Sequence, residues 1–478
     1  QDDNPRLWII PKRRECLPQS LPHRLCAGIP PLNMGNRDDG YAVWADVMGN
    51  GGHWKTLCVG IECPIVAKQQ PCLSTCRLNL SSDLHTEMTP MPGALDGLKV
   101  VDFTSHLSGP YCAMILADQG ADVIKIEKPG KGDDLRQSPP FVAGEGAPFM
   151  LWNRNKRSIA LDLKNPDDLA TALTLIDSAD VMVENMRPGV AERIGIGYAA
   201  MAERNPGLVY CSISGFGQTG PYSKRGGFDL VAQAMSGLMT INGPPEGGPY
   251  RLPIAISDVA AGMNGAIGVL SALQHKNKTG EGQQVDVSLL DSALSMCVYE
   301  AASVFATGEK PERLGQGHRG SAPYQIFPTQ NGWFALGASQ QRFWEQTCEV
   351  IGAAHLLDDA RFKVKADRVA RQQELAELLA PYFQKQTTEH WFEALDALNI
   401  PCGPVMDHLQ TLSDPHILAR DMVAPVDHAV AGKTKTLGTP IKLSKTPGGV
   451  RNAAPALGQH DEEIRAEAAA RQSQDAAE

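Results

Sequence analysis

The chain has 478 residues and lacks the features that mark several classes of protein. No apolar run reaches the ~20 residues that span a bilayer, and the opening residues are acidic and polar, so we expect neither a membrane association nor a signal peptide. The formal net charge of −10 argues against a nucleic-acid partner, because phosphate binding needs a concentrated basic surface. Together these absences predict a cytoplasmic globular protein.

Cysteine is unevenly distributed along the chain. Six cysteines lie in the first 76 residues, namely Cys16, Cys26, Cys58, Cys63, Cys72 and Cys76, and five are scattered further on, namely Cys112, Cys211, Cys297, Cys348 and Cys402. The scattered set is typical of buried thiols in a reducing compartment. The first set does not match the spacing of a zinc site, and no histidine pattern follows it, so we predict no metal site.

Residues 1–90 differ from the rest in being rich in proline, glycine and asparagine, with little hydrophobic periodicity. Regular patterning begins just after Met88 and Met91. We interpret this segment as an accessory extension, poorly ordered, or as upstream sequence translated in error. Both interpretations are favoured over a metal-binding module.

From residue 98 onward, short apolar segments alternate with helical patterns. The predicted strands are 98–103, 121–127, 158–161, 181–184, 207–213, 252–256 and 284–288, and the predicted helices are 110–120, 166–178, one after Gly189, 260–275 and 290–306. Near-continuous apolar strands alternating with helices predict an α/β fold with a parallel sheet covered on both faces. No G-x-G-x-x-G motif follows the first strand, which disfavours a dehydrogenase.

A second unit is predicted after a glycine- and charge-rich linker at 307–322. Its expected elements are a strand at 332–337, helices at 342–351, 370–383 and 388–398, and a rigid turn at 400–405. The tail is expected to be extended over 427–458 and then to form a polar helix, with a frayed end over 466–478.

Basic residues are concentrated in the loops that follow the predicted strands. They are Lys128, Lys131, Arg154, Lys156, Arg157, Arg187 and Arg193. Because α/β proteins bind ligands at the carboxyl ends of their strands, these cations predict a basic pocket for an anionic ligand. The alternative is that each is an ordinary solvated surface charge.

Asp258 lies at the predicted junction between strand 252–256 and helix 260–275. A carboxylate at such a junction is desolvated and held in place, and both properties favour a nucleophile. The alternative is a helix N-cap, a common role for aspartate at this position.

Seven segments, read in order, resemble the class III coenzyme A (CoA) transferase, or CaiB/BaiF, family. They are LDGLKVVDFT, GADVIKIEKPGKGD, NRNKRSIALDLK, VMVENMRPGV, LVYCSISGFGQTGPY, FDLVAQAMSG and TGEGQQVDVSLLD. The resemblance extends from about residue 95 to about residue 463 and is nearest to the succinyl-CoA:dicarboxylate, glutarate-type members. Residues 1–90 lie outside it.

The resemblance implies an interlocked homodimer. Each chain would have a large Rossmann-like CoA-binding domain, 92–295 with 415–470, and a small α/β domain, 320–410. Residues 296–319 would form a linker, and 471–478 a frayed tail.

The resemblance also assigns residues to the site. Asp258 would be the catalytic aspartate. The CoA contacts would be His106, Leu107, Ser108, Lys128, Lys156 and Arg193. The lid over the substrate would comprise Gly315, Gly317, His318, Arg319 and Gly320, although this loop departs from the consecutive glycines of formyl-CoA transferases. Arg251 and the pair His318-Arg319 are candidates for holding a distal carboxylate, because arginine binds a carboxylate with two donors; surface charge is the alternative.

The implied reaction transfers CoA from an acyl-CoA, such as succinyl-CoA, to a carboxylic acid through an aspartyl anhydride and an aspartyl-CoA thioester. It needs no metal and no tightly bound cofactor, since the CoA thioester is a substrate, and glycine-loop N–H groups would stabilise the oxyanions. One alternative is an acyl-CoA racemase, but the motif's histidine position is Phe228, which cannot take a proton. Another is a non-catalytic CoA-binding protein, in which binding would survive loss of Asp258.

Overall fold

The computed structural model describes residues 92–475 together with three strands nearer the N-terminus, β1 (Leu7–Trp8), β2 (Tyr41–Met48) and β3 (Trp54–Ile61). These three strands form an antiparallel sheet in the order β1-β2-β3. The sequence analysis expected no regular element in this segment. Valine, tyrosine and tryptophan favour strands here, a signal obscured by the surrounding proline and glycine. Residues 1–89 form a unit separate from 90–478.

The second unit is built from strands and helices that alternate along much of the chain. The strands are β4 (Lys99–Asp102), β5 (Asp122–Glu127), β6 (Phe141–Val142), β7 (Glu145–Gly146), β8 (Lys156–Ala160), β9 (Val181–Glu184), β10 (Val209–Ser214), β11 (Gln284–Ser288), β12 (Tyr324–Pro328), β13 (Trp333–Gly337), β14 (Cys402–Pro404), β15 (Val423–His428) and β16 (Gly432–Leu437). The α-helices are α1 (Ser108–Asp118), α2 (Ala147–Trp152), α3 (Pro166–Asp177), α4 (Val190–Arg193), α5 (Tyr198–Arg204), α6 (Asp229–Met235), α7 (Leu238–Ile241), α8 (Ile256–Thr279), α9 (Leu289–Ser295), α10 (Val298–Thr307), α11 (Gln341–Val350), α12 (Lys365–Ala370), α13 (Gln372–Phe383), α14 (Thr388–Asp396), α15 (His408–Ser413), α16 (Pro415–Ala419) and α17 (Asp461–Asp475). Short 3₁₀ helices occupy Asp134–Gln137 and Ala354–Leu357.

The central sheet has six parallel strands in the order β8-β5-β4-β9-β10-β11, which confirms the predicted α/β fold with a parallel sheet. Numbered along the chain, this is the doubly wound order 3-2-1-4-5-6, whose ligand crevice opens where the order reverses, between β4 and β9. Val100 packs into the core on one face and Val101 into the core on the other. Both faces of the sheet are therefore covered, as predicted.

Helix α8 is longer than predicted, and it begins at Ile256 without a preceding strand. The prediction of a strand at 252–256 was wrong because a side chain, not a neighbouring strand, satisfies this backbone. Gln233 Oε1 accepts from Leu252 N at 2.9 Å. The small residues of α8 permit close packing, since a Cβ on Gly262 would lie 2.7 Å from Ser108 O and one on Gly268 would lie 2.5 Å from a Val285 methyl.

By length and composition alone, α8 is apolar enough to cross a membrane, which the sequence analysis did not anticipate. Its inward face is nevertheless part of the core, because Ala266, Val269 and Ala272 pack with the central sheet. The helix is thus anchored along its length in the same domain as the sheet.

The predicted helix 290–306 is two helices, α9 and α10, bent by 75° at Met296 and Cys297. The sequence has no glycine or proline at the bend, and for this reason the sequence pattern predicted one continuous helix. Their environments differ: α9 buries Leu289 and Ala293 beside α8, whereas α10 has no buried residue. Tertiary packing therefore sets the break.

Strands β12, β13 and β14 form an antiparallel sheet with its own core, which includes Phe327, Phe334, Trp344 and Phe383. The predicted strand and three helices after residue 330 are confirmed. The rigid turn predicted at 400–405 was wrong in part, because this segment contains β14, which pairs with β13. The boundaries of a large and a small domain stay predictions.

The C-terminal segment forms the hairpin β15–β16 and then α17. The end predicted to fray from residue 466 is helical through Asp475. Its packing explains the difference, because Ile464 and Ala468 are buried and Gln472 Nε2 donates to Thr174 Oγ1 at 2.7 Å.

The thiols of Cys112, Cys211, Cys297 and Cys348 are buried and unbridged, as predicted, and Cys402 is half-buried. Within the part of the chain that the structure describes, no group of three or more histidine, cysteine or acidic residues is placed to hold a metal. Cys63, Cys72 and Cys76, considered above for zinc, lie outside the described residues.

Candidate active site

Asp258 lies in the first turn of α8, at the edge of the sheet where α1 begins. Its side chain is half-buried and interacts with Ser108, the first residue of α1. The N-cap position of α8 is Ala255, whose side chain has no polar atom with which to cap the helix. The alternative that Asp258 is the N-cap is therefore wrong, and its carboxylate is free of that structural role.

A second carboxylate, Asp229, takes the capping role from a different helix. Its Oδ1 accepts from Ser257 N at 3.1 Å and from the Ser257 hydroxyl, and its Oδ2 accepts from Gln233 Nε2 at 2.8 Å. Asp229 thus satisfies an N–H group at the start of α8 and fixes the turn that carries Asp258.

The environment of Asp258 favours its neutral form. Burial raises the pKa of Asp258 to about 6, and the nearby negative charge of Asp229 acts in the same direction. Hydrogen bonding to Ser108 and the charge of His106 oppose this rise in pKa. A carboxylate made less stable in this way is a stronger nucleophile than a solvated one, yet it is still largely ionised at pH 7.

The segment that joins β4 to α1, which together with the first turn of the helix we call the switch-point loop (residues 104–110), carries three of the predicted CoA contacts. Ser108 is buried and Leu107 is half-buried, while His106 is exposed and has a left-handed backbone with φ of +63°. His106 Nε2 lies 3.2 Å from Asp134 Oδ2, and the His106 ring meets the ring of Phe228 edge-on at 6.3 Å. The loop thus brings His106 and Ser108 to Asp258.

Four of the seven loop cations predicted to form a basic pocket are paired with carboxylates of the chain itself, and among these Lys131 is still exposed. Lys156 Nζ is fully buried and bonds to Asp102 Oδ2, Pro110 O and Asn153 Oδ1 at 2.8–3.0 Å. The prediction that Lys156 contacts CoA is therefore corrected, since its three donors are occupied. The other three pairs are Arg154 with Asp118, Arg157 with Asp122, and Lys131 with Asp134.

The remaining three cations, Lys128, Arg187 and Arg193, are exposed at the carboxyl edge of the sheet. Lys128 follows β5, and the two arginines follow β9. Lys128 and Arg193 stay predictions as CoA contacts. Arg187 stays a prediction as a further cation of the basic pocket.

The glycine loop after β10 was expected to offer N–H donors to an oxyanion. Two of its donors are already engaged: Gly217 N donates to Ser214 Oγ at 3.0 Å, and Gln218 N donates to Asp286 Oδ2 at 3.0 Å. The loop closely approaches the segment that precedes α6, because a Cβ on Gly215 would lie 2.6 Å from Gly227. Its glycines therefore serve backbone packing at these positions.

The predicted lid residues occupy a separate part of the chain. The His318 ring meets Tyr299 edge-on and Tyr324 at a tilt, with ring centroids 5.3 and 5.1 Å away, and Gly320 N donates to His318 Nδ1. A cavity of about 620 Å³ adjoins Gly317, His318 and Tyr324. No contact among the described residues joins this loop, which also contains Gly315, to Asp258.

Both arginines considered as partners of a distal substrate carboxylate, Arg251 and Arg319, already bind groups of the chain. Arg319 Nε lies 2.8 Å from Glu300 Oε1, and Arg251 donates to the carbonyl oxygens of Leu252 and Pro253. Each arginine thus has two of its nitrogens, Nε and Nη2, engaged within the chain.

The sequence analysis did not identify three residues that hold the backbone around the site, Asp229, Lys125 and Asp133. Asp229 and Gln233 are four residues apart in FDLVAQ, a spacing that places both on one helix face, and this signal was available. Lys125 interrupts the apolar run of β5, where a charge at a core position calls for a partner. That partner, Asp133 at 3.0 Å, lies outside any strand and was not predictable by periodicity.

A doubly wound α/β fold with a desolvated carboxylate at the edge where such folds bind ligands is consistent with a group-transfer enzyme, and comparison with known proteins specifies the family. The model of CoA-transferase family III matches residues 95–461. The chain therefore belongs to CoA-transferase family III and is a CoA-transferase.

Relatives and solved structures agree with this assignment. The chain is 39% identical over 403 residues to an acyl-CoA transferase of Fusarium pseudograminearum, covering 81% of this chain and 88% of the relative. It is 36% identical over 371 residues to the succinyl-CoA:glutarate CoA-transferase of Homo sapiens, covering 77% and 85%. A crystal structure of a CaiB/BaiF family protein from Brucella suis superposes with a TM-score of 0.72 at 34% identity, covering 79% of this chain and all of that one.

Proposed function

We propose that this enzyme transfers CoA from succinyl-CoA or a similar acyl-CoA to a dicarboxylic acid, with Asp258 as the nucleophile. The observation that carries the proposal is the Asp258 carboxylate, which is desolvated, free of a capping role and placed where α1 and α8 meet. The human relative that uses succinyl-CoA and glutarate supports a dicarboxylate acceptor.

The transfer proceeds in balanced steps on one carboxylate. An Asp258 oxygen attacks the thioester carbonyl, the C–S bond breaks, and CoA leaves as a thiolate from an acyl-aspartyl anhydride. The thiolate then attacks the aspartyl carbonyl, which releases the first acid and leaves an aspartyl-CoA thioester. The acceptor carboxylate attacks the aspartyl carbonyl of this thioester, the C–S bond breaks, and CoA leaves as a thiolate while a second acyl-aspartyl anhydride forms. The thiolate attacks the acceptor carbonyl of that anhydride, the bond to the Asp258 oxygen breaks, and the new acyl-CoA forms as the Asp258 carboxylate is regenerated.

The surroundings of Asp258 suit this sequence of steps. No net proton is exchanged, so the site needs orientation and exclusion of water more than an acid or a base. The Ser108 hydroxyl and the His106 side chain lie near the carboxylate, where they support charge that develops on oxygen and sulfur. Lys128 and Arg193, both exposed at the same edge, are proposed to bind the phosphates of CoA.

One observation favours a second candidate, an acyl-CoA racemase. His106 packs against Phe228, so an imidazole lies beside the position where the sequence has phenylalanine in place of the motif's histidine. Proton exchange at the α-carbon would need such a base opposite Asp258. The transferase is preferred because the transfer requires only the carboxylate, and because the relatives described above are transferases.

The test incubates the enzyme and its Asp258→Ala variant with succinyl-CoA and a panel of acids that includes glutarate, malate, citramalate and oxalate. We expect new acyl-CoA from the wild type alone, together with a CoA adduct on the Asp258 peptide in mass spectra. Deuterium uptake from heavy water at the α-carbon of a 2-methylacyl-CoA, without exchange between acids, would instead identify the racemase. CoA binding of equal affinity in both proteins, with neither activity, would indicate a CoA-binding protein.

We also propose that the enzyme is a homodimer in the cytoplasm. The outer faces of α8 and α10 are apolar and uncovered in one chain, with Ile267 61% and Phe305 89% exposed. A second copy is the proposed occupant, since α8 is anchored in the core on its other face and cannot leave it for a bilayer. The unbridged buried thiols support a reducing compartment.

A further inference from the structure

The main chain of the switch-point loop is held by side chains from the strands around it. Lys125 Nζ, from β5, donates to Thr104 O at 2.7 Å, and Asp102 Oδ1, from β4, accepts from Thr104 N at 2.8 Å. Asn185, after β9, binds both polar atoms of the next residue: its Oδ1 accepts from Ser105 N at 2.9 Å and its Nδ2 donates to Ser105 O at 2.7 Å. Successive backbone groups are therefore fixed before any ligand arrives.

The centre of this support is the ion pair between Lys125 and Asp133. The two charged groups lie 3.0 Å apart, and at most 1% of either side chain is exposed. Asp133 Oδ1 also accepts from His106 N at 3.2 Å, so the pair touches the loop at two places, Thr104 O and His106 N. Nearby Asp102 and Glu127 contribute further negative charge that raises the pKa of Lys125.

The conformation that the pair holds is unfavourable by itself. His106 has φ of +63°, in the left-handed region that residues with a Cβ rarely adopt. Such a conformation persists only where the surroundings over-determine it, and it is concentrated at sites of chemistry. Here the strained residue lies within two residues of Ser108, which interacts with Asp258.

We propose that Lys125 and Asp133 are positioning residues for CoA transfer. Through Thr104 and His106 they hold the switch-point loop in the one conformation in which it can align a thioester with Asp258. Neither side chain contacts Asp258 among the described contacts, so their effect is transmitted through the loop. This inference rests on the proposed function of Asp258.

The chain offers a matched control in the pair Arg154 and Asp118. Their charged atoms lie 2.7 Å apart, and 3% of each side chain is exposed. This pair lies at the opposite end of α1, where Asp118 also accepts from Asn155, and it does not touch the loop. Loss of either pair removes a buried ion pair, but only one of them supports the site.

The experiment compares Asp133→Asn and Lys125→Met with Asp118→Asn and Arg154→Met in the full chain. All four variants are expected to melt at lower temperature than the wild type. At saturating succinyl-CoA, the single-turnover rate of CoA-adduct formation on Asp258 is expected to fall about 100-fold in the first two, since a displacement of about 1 Å costs that much. In the control variants the rate should stay within a few-fold of wild type.

A second measurement tests the strained residue without using activity. Asp133→Asn is introduced into His106→Ala, which keeps a Cβ, and into His106→Gly, which adopts the left-handed backbone freely. The decrease in melting temperature caused by Asp133→Asn should be larger in the His106→Ala protein than in the His106→Gly protein. Equal losses would overturn the claim that Asp133 holds this conformation.

The outcomes separate this inference from the function on which it rests. Suppose that the wild type is active and that all four ion-pair variants lose rate in proportion to their loss of stability. This result would overturn the positioning role but not the proposed function. A folded wild type that makes no acyl-CoA and no adduct would overturn the proposed function, and with it any role of Lys125 and Asp133 in transfer.

Discussion

Replacing Asp229 by asparagine should move the pH dependence of CoA transfer toward acid. In the proposed mechanism Asp258 attacks only when ionised, and burial together with the charge of Asp229 raises its pKa to about 6. The wild-type rate should therefore be near its plateau at neutral pH and fall about tenfold per pH unit well below 6. Asp229→Asn keeps an oxygen that accepts from Ser257 N but removes the negative charge, so the midpoint should fall.

The structure sets limits on the size of this effect. Burial is the larger cause of the raised pKa of Asp258, so the midpoint in Asp229→Asn should lie between the ordinary aspartate value of 3.8 and about 6. At pH 5 the wild type has about one tenth of its Asp258 ionised, and full ionisation in the variant would raise the rate by at most about tenfold. At pH 8, where Asp258 is ionised in both proteins, this advantage should vanish.

The assay is the initial rate of acyl exchange from succinyl-CoA to glutarate, measured as kcat/KM from about pH 4.5 to about pH 8. Ser257→Ala is the control, because it removes the hydroxyl contact to Asp229 and leaves the charge. A midpoint that stays in place or rises in Asp229→Asn would refute the reasoning.

A second buried carboxyl lies near the same edge of the sheet and must be distinguished from Asp258. Burial raises the pKa of Glu184 to about 7, and Glu184 accepts from Met186 N at 2.8 Å. Glu184→Gln should leave the lower midpoint unchanged. If the midpoint shifted in Glu184→Gln but not in Asp229→Asn, the titrating group would be Glu184 and not Asp258.

Three further predictions concern packing and assembly. Gly262→Ala should lower the free energy of unfolding by about 1–3 kcal/mol, because the new Cβ would lie 2.7 Å from Ser108 O. The control Gly248→Ala, which has open space around the new Cβ, should change the free energy of unfolding by less than about 1 kcal/mol. Chemical denaturation measures both values. Arg368→Met should destabilise the core around β13 by roughly 1–3 kcal/mol and show a lowered melting temperature, because this buried guanidinium donates to several carbonyl oxygens that would lose their donor. Phe305→Glu should yield a monomer in light scattering if a second copy covers α10, and an unchanged mass would contradict that assignment.

The sequence was sufficient for the sheet but not for the details of the site. Apolar segments predicted the six parallel strands, and the signal is simplest for β4, β5, β9 and β10, which are buried on both faces. The resemblance to the family located Asp258, and its surroundings then came from packing. Asp229 caps α8 from another helix, and a contact over 28 residues leaves no periodic pattern.

The errors also have physical causes. The run at 252–256 is apolar enough for a strand, but a buried glutamine side chain satisfies its backbone. Lys156 was counted as a free cation because sequence reading cannot see that Asp102 faces it across 54 residues. Charged residues in loops carry the least information, since pairing within the chain and ligand binding use the same side chains.

The support of the switch-point loop has a consequence for folding. Ser105 is held by Asn185, 80 residues further along, and Thr104 O by Lys125, 21 residues along. The full set of contacts that holds the loop therefore forms only after β9 has been synthesised and has joined the sheet, and Asp258, the proposed nucleophile, follows later with α8. A chain truncated before β9 would carry the loop without Asn185, which binds both polar backbone atoms of Ser105, and without Asp258.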